Sequence, residues 1–402
     1  MTSITIDSLA DVAFQLKWDS AHATHTEGYA ARGVNLWRDW LPDNVRQSLM
    51  GKHSWEKATV DFSAGELFGN DGDLLKIDRD QFALNPKTGR FYPKGRLRGL
   101  TGVFPQSQDP FRIVGLNNGH MSINMGHPLA ARPLSLAMTV GQIEPKESER
   151  GGNSADWIGL LTEGPGMQVR WQDTPTDFFS DTPFARGDDS RDAGFYSKPR
   201  LVHHLDVTAR DMVADLYQRF VKDGMQILDL MSSWTSHLPD KIRPASVSGL
   251  GMNQAELEQN PRLTDFKVHD LNSDPQVPYT AASFDVVLCT VSVEYLTSPL
   301  EVFTDVARVL KPGGVFVVTF SNRWFPPKVV RIWEQIHEFE RVGLVTEYFL
   351  RSGAFENLET WSMRGLPRPD GDKYARELAL SDPVYAVWGE VKSSKSELTK
   401  VI

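Results

Sequence analysis

One cysteine in 402 residues excludes an internal disulfide and any metal site built from several thiolates. That residue, Cys289, falls in the apolar run FDVVLC, where a buried and inert thiol is expected rather than a nucleophile. No apolar run approaches the ~20 residues that span a bilayer. The opening stretch MTSITIDSLADVAF lacks the basic start and apolar block of a secretory signal. Positive charge is also in deficit: 43 Lys and Arg against 52 Asp and Glu leave a formal charge of −9, which argues against a general nucleic-acid binder. These absences point to a soluble protein of the cytoplasm, without membrane or nucleic-acid partners. A further absence is local. The run 227–237, ILDLMSSWTSH, has the form of a strand that ends in an acid and enters a cofactor loop. Yet Met231, Ser233 and Thr235 stand where glycines usually let the backbone approach the cofactor.

The length predicts two or three domains, and the text of the chain changes character along it. Residues 1–145 carry short β-type runs broken by Gly, Pro and Asn, with a helix predicted at 43–50 after Pro42, which suits a helix start. Residues 60–62 and 134–140 read as strands. The segment 146–155, KESERGGNSA, is a linker by composition. From about 209, Met212, Val213, Leu216, Tyr217, Phe220 and Val221 recur at helical spacing, and strands then alternate with helices to the end. Such alternation predicts a parallel sheet with crossover helices.

After 225 the segments follow an informative order. A strand at 226–230 contains Asp229, a second runs over 245–249, and a third, 266–272, ends around Asp270. SFDVVLC at 283–289 then precedes the helix 300–310, and ARVLKPGGVFVVTF at 307–320 turns at 311–314 into another strand. This order, over roughly 208–392, resembles the class I S-adenosylmethionine-dependent methyltransferases. The resemblance implies a Rossmann-like α/β fold with a seven-stranded, mostly parallel sheet, its reversed last strand at 383–391. The loop itself resembles a subgroup that writes it D-L-x-S-S-W-x-S-H. By the same resemblance Asp229 meets the methionine part of the cofactor, S-adenosyl-L-methionine, while Met231, Ser232 and Ser233 line that loop. The hydroxyls and N–H groups of Ser232 and Ser233 face the cofactor's carboxylate. Asp270 meets the adenine amino group, and the backbone of Leu271 or Asn272 pairs with the ring. The ribose acid expected after the second strand is missing, because Gly251 stands there. Asn253 reads either as its replacement, with an amide that both donates and accepts, or as the cap of the following helix. With neither G-x-G-x-x-G nor that acid, nicotinamide chemistry is disfavoured.

The stretch 41–69, LPDNVRQSLMGKHSWEKATVDFSAGELFG, resembles the FKBP family of peptidyl-prolyl isomerases. Residues 90–93 (RFYP) and 119–130 (GHMSINMGHPLA) resemble its SlyD-like branch, in which a chaperone flap is inserted, here at about 70–125. The resemblance implies an α+β domain over 1–145 that recruits a protein or peptide. Trp40, Leu41 and Phe68 match the isomerase-like pocket, whereas Val45 and Leu136 replace aromatics and make it shallower. A binding module descended from an isomerase is as consistent with these residues as a catalyst. His120 and His127 read as ordinary loop residues, and no metal site is expected.

Residues 146–207 form a linker and cofactor-lid segment, before a methyltransferase domain at 208–402. Tyr196 reads as a lid residue against the cofactor or as packing under a loop. His203 and His204 with Asp206 read as a base oriented by a carboxylate, or as surface histidines beside a helix cap; His204 and His237 are the catalytic candidates. Three functions fit the whole: a methyltransferase with a substrate-recruiting isomerase-like domain, an isomerase or chaperone on an inert methyltransferase scaffold, and a small-molecule methyltransferase that docks through its first half.

Overall fold

The computed structural model describes residues 2–69, 72, 74–145 and 153–393. Residues 146–152 of the expected linker, and residue 70 where the flap is expected to begin, lie outside the described residues. The chain divides into two compact units, Met1–Pro183 with Ile336–Leu344, and Phe184–Gln335 with Val345–Ile402. Among the described residues no helix is long and apolar enough to cross a membrane.

In the first unit, β1 (Ser8–Asp19) and β2 (Thr24–Val34) precede α1 (Asp43–Leu49) and β3 (Lys57–Phe62). Four short strands follow: β4 (Leu74–Asp78), β5 (Phe91–Pro93), β6 (Pro110–Asn117) and β7 (His120–Asn124). Then come β8 (Leu134–Pro145) and α2 (Trp157–Thr162). Strands β2, β1, β8 and β3 pair antiparallel in that order. Alternation makes one face of this sheet dry: Val12, Phe14, Leu16 and Trp18 of β1 are buried beside Leu134, Leu136, Met138 and Val140 of β8. Val45 and Leu49 of α1 join the same core. Strands β4, β7, β6 and β5 form a separate sheet with its own cluster around Phe82, Phe111 and Ile123.

The second unit begins with α3 (Asp192–Tyr196) and α4 (Val207–Tyr217). Next are β9 (Gln226–Leu230), β10 (Ser246–Gly251), α5 (Gln254–Glu258), β11 (Asp265–Val268), β12 (Phe284–Thr290), α6 (Pro299–Val309) and β13 (Leu310–Phe320). The chain continues through α7 (Arg331–Gln335), α8 (Glu338–Ser352), β14 (Phe355–Arg364) and β15 (Val384–Val391). The strands of this unit lie in the order β11-β10-β9-β12-β13-β15-β14. The first five are parallel; β15 runs antiparallel to both β13 and β14. Burial on both faces explains the largely apolar text of β9 and β12, which Asp229 and Asp285 interrupt.

Several boundaries differ from the sequence reading: the compact units divide at Pro183/Phe184 rather than at 145 and 208, Ile336–Leu344 groups with the first unit, and β10 runs over Ser246–Gly251 rather than 245–249. β11 stops at Val268, so Asp270 lies in the loop beyond the strand rather than within it. The expected turn at 311–314 is a bulge inside β13. Phe284 pairs with Leu310 and Val286 with Val315, so the extra residues loop out around Gly313, whose φ is 76°. Strand order reverses beside β9, which has β10 on one side and β12 on the other. A crevice outside the carboxyl ends of the strands is expected at such a switch point.

Candidate functional site

A cavity occupies that crevice, with about 1180 Å³ of empty space counting its open mouth. Asp229, Met231, Ser232 and Ser233 line it from the loop after β9, and Asp270, Leu271 and Asn272 from the loop after β11. Tyr196, His204 and His237 also line it, so the fold brings most of the sequence candidates together. Three non-glycine residues on its wall adopt left-handed backbone: Met231 (φ 58°), His237 (φ 50°) and the β-branched Val291 (φ 42°). Such conformations cost energy and cluster at functional sites.

Asp229 is 3 % exposed. Burial pushes its carboxyl up to about 6, although hydroxyls of Ser232 and Ser236 favour the ionised form. Ser232 Oγ donates to Asp229 Oδ2 at 2.6 Å, and its N–H donates to the carbonyl of Leu250 at 2.7 Å. Ser232 is therefore committed to the loop, and its hydroxyl and N–H do not face outward as the sequence reading expects. That inward bond brings the Ser232 carbonyl against β10: a Cβ on Gly251 would lie 2.2 Å from it. The missing acid at 251 thus has a steric cause. Asn253 does not line the cavity. Its Oδ1 accepts from the N–H of Glu256, capping α5, while Nδ2 donates to the carbonyls of Tyr196 (2.8 Å) and Ser197 (3.2 Å). The nearest carboxylate is Glu256, which lines the cavity, accepts from Ser233 Oγ at 2.7 Å and receives the N–H of Arg200 at 2.6 Å. Nothing in AELEQ marks it, since a glutamate in a first helical turn usually serves the helix.

Beyond β11, Asp270 Oδ1 accepts the N–H groups of Asn272 and Ser273, and Oδ2 the Ser273 hydroxyl. The Asn272 N–H, one of the two expected ring partners, is thereby occupied within its own turn. The Asn272 side chain is structural: it donates to Asp192 Oδ2 and the Tyr295 carbonyl, and accepts from Thr297. Asp192 in turn holds Arg186 through two 2.8 Å bonds and the buried Lys328 at 3.2 Å. This network pins the segment that carries Tyr196 to the strand ends. Tyr196 closes α3 beside Phe195, and burial raises its hydroxyl above the usual range.

The histidines separate from Asp206. Its carboxylate caps α4 through the Ala209 N–H and takes Ser381, the Asp382 N–H and Arg368. It orients no imidazole. His203 instead lies 4.5 Å from the Trp234 ring and 6.5 Å from His237, and His204 meets Phe325 edge-on at 5.0 Å. Burial lowers all three imidazoles, His237 to about 4, with Arg210 adding to the effect on His203 and His237. Arg200, Trp234 and Phe325 also line the cavity, and the sequence offers no periodicity that singles them out.

In the first unit Leu41 is buried and Phe68 packs on the same core, but Trp40 is 52 % exposed and stands apart from that cluster. His127 lies in the loop after β7, where its ring stacks on Phe68 at 3.7 Å. His120 is also placed, opening β7 and pairing with Asp78 at 2.8 Å.

Residues 236–318 match a family model described as a methyltransferase domain. A malonyl-[acyl-carrier protein] O-methyltransferase of Marinomonas sp. (strain MWYL1) is 24 % identical over 98 residues, which are 21 % of this chain and 36 % of that protein. Among solved structures, a putative methyltransferase of Bacillus halodurans C-125 covers 46 % of this chain and all of its own length at 12 % identity, with a TM-score of 0.33. A SAM-dependent methyltransferase of Aquifex aeolicus covers 50 % of this chain and 97 % of its own at 14 % identity, with a TM-score of 0.31. The C-terminal region of the chain carries a class I methyltransferase domain with a Rossmann-like fold.

Proposed function

We propose that the chain is an S-adenosylmethionine-dependent methyltransferase whose first unit is a SlyD-like FKBP-type module that engages a protein or peptide. The observation that carries the first half is the pair of carboxylates, Asp229 and Asp270, lining one cavity at the switch point of the sheet. The donor set suits this cofactor: a buried acid for a cationic group, a second acid beside the Leu271 backbone for an adenine edge, and ring faces for a sulfonium. Asp229, Ser233, Asp270, Leu271 and Tyr196 would hold it, within the seven-stranded class I arrangement. When bound, it supplies an electrophilic methyl group. Glu256 rather than Asn253 is the acid in reach of the ribose side. Calorimetric titration of S-adenosylmethionine onto the full-length protein tests the reading, and absence of binding at millimolar cofactor would overturn it.

The second half is supported by the order of elements: a helix started by proline, a strand, then a four-stranded insertion with its own core between β3 and β8. The stack of His127 on Phe68 favours binding over catalysis in this module, because it covers an aromatic face that would otherwise meet a prolyl ring. Turnover of a proline peptide at the rate of a full isomerase would refute that preference. Binding of an unfolded, proline-containing chain with little turnover is the expected result.

A further inference from the structure

One end of the cavity differs from the acidic strand ends. Arg200 is the sole lysine or arginine on the cavity wall. Its guanidinium packs over Phe195 at 4.4 Å, Phe325 at 5.3 Å and Tyr196 at 5.8 Å. One nitrogen donates to the Phe195 carbonyl, and no ion pair to Arg200 occurs among the described residues. A planar guanidinium held between rings, with donors to spare, is suited to a carboxylate. His203 and His237 also line the cavity, beside Trp234. His203 Nδ1 is buried without a hydrogen-bond partner, and burial lowers both imidazoles below their ordinary value. Neutral imidazole is a proton acceptor. Trp234, Phe325 and Tyr295 line the cavity as well.

We propose that this end is an acceptor subsite for a small aromatic hydroxy acid. Arg200 pairs with its carboxylate, the lining rings pack against its plane, and the His203 imidazole takes its hydroxyl proton. The proposal rests on the cavity being an S-adenosylmethionine site. In the transfer, the hydroxyl proton passes to imidazole and an oxygen lone pair forms the bond to the methyl carbon. The pair of the broken carbon–sulfur bond stays on sulfur.

The test uses full-length protein saturated with S-adenosylhomocysteine, whose own binding reports separately on the cofactor reading. The probes are 4-hydroxybenzoate and its cationic counterpart tyramine, titrated calorimetrically. Expected is at least a tenfold preference for 4-hydroxybenzoate, lost in Arg200→Met and retained in Arg200→Lys, with S-adenosylhomocysteine affinity unchanged within about threefold. Replacing both His203 and His237 by Gln should leave 4-hydroxybenzoate affinity within about threefold. It should slow methylation of the probe at pH 7 at least a hundredfold, with the rate recovering as pH nears the phenol's own ionisation. If S-adenosylhomocysteine binds but the two probes bind equally, or neither binds, the subsite is refuted while the cofactor reading stands. If Arg200→Met weakens S-adenosylhomocysteine and not the probe preference, the guanidinium serves the cofactor and the subsite is likewise refuted.

Discussion

Asp229 and Asp270 stand at the ends of strands on either side of β10, yet their surroundings differ. Asp229 is sealed among apolar neighbours with two hydroxyls, and its carboxyl is pushed up to about 6. Asp270 is half-exposed and holds two N–H groups and a hydroxyl in its own turn. Between them β10 ends without an acid, in Gly251 and the capping Asn253. The same residue type at equivalent sheet positions therefore sits in different surroundings: one carboxylate is dry and held by hydroxyls, whereas the other is solvated and shapes its own loop.

The largest effect should come from forcing the three strand ends to look alike. Gly251→Asp would restore the acid at the end of β10, but its Cβ falls 2.2 Å from the Ser232 carbonyl. We expect loss of cofactor binding by more than a hundredfold and a lower melting temperature, since overpacking of this kind costs about 1–3 kcal/mol or more. A gain in affinity instead would mean that the loop yields and that the absent acid reflects no steric rule.

Next in size is the contrast between the acids themselves. Under the proposed function Asp229→Ala removes the buried partner of a cationic group and should weaken S-adenosylmethionine by roughly a hundredfold; Asp270→Ala should cost about tenfold, within the ~1.5–3 kcal/mol of a charge-assisted bond. Equal losses would remove the distinction between a dry and a solvated site.

A smaller, graded effect follows from pH. A carboxyl that ionises near pH 6 in the fold rather than at 3.8 is bound to its proton more tightly when folded. Stability from this group is therefore greatest below pH 3.8 and declines as pH rises through about 6, by on the order of 3 kcal/mol in all. A cationic ligand reverses the sign, because it binds the ionised form. Cofactor affinity should fall as pH drops below about 6, by up to tenfold per pH unit. Among the imidazoles on the wall, burial holds His237 near 4, below this window. Asp229→Asn should bind weakly with no slope in this window; a flat wild-type profile from pH 5 to 7 would contradict the assignment.

Much of this site was legible because order and spacing carry it. The run at 226–230 is β9, and 283–289 with 307–320 flank the right strands. What escaped the sequence depends on side-chain direction. Ser232 and Ser233 are neighbours in one small-residue loop, but one turns back onto Asp229 while the other reaches Glu256. Asp206 reads as a partner of nearby histidines, yet the fold brings Ser381, Asp382 and Arg368 to it from more than a hundred residues away. In the first unit β8 was read in part, at 134–140, whereas β1 was missed although Val12, Phe14, Leu16 and Trp18 alternate along an unbroken strand. The stack of His127 on Phe68 has no local signature at all.

The smallest effect concerns Asn253, which joins the acid-free strand end to the segment carrying Tyr196. Its Oδ1 caps α5 and its Nδ2 holds the carbonyls of Tyr196 and Ser197. Asn253→Ala removes both functions and should cost about 1–2 kcal/mol, mostly the cap. Asn253→Asp keeps a cap acceptor but gives up the two donors and turns a carboxylate toward the carbonyls. The cap alone would make the aspartate variant as stable as wild type. The second role predicts faster amide exchange across 196–200 in both variants, even where the melting temperature of the aspartate variant is unchanged. Because Asn253 does not line the cavity, cofactor affinity should move less than about threefold in either. A tenfold loss in Asn253→Ala, with exchange at 196–200 unaltered, would return the residue to direct ribose contact and make β10 a third ligand-binding strand end after all.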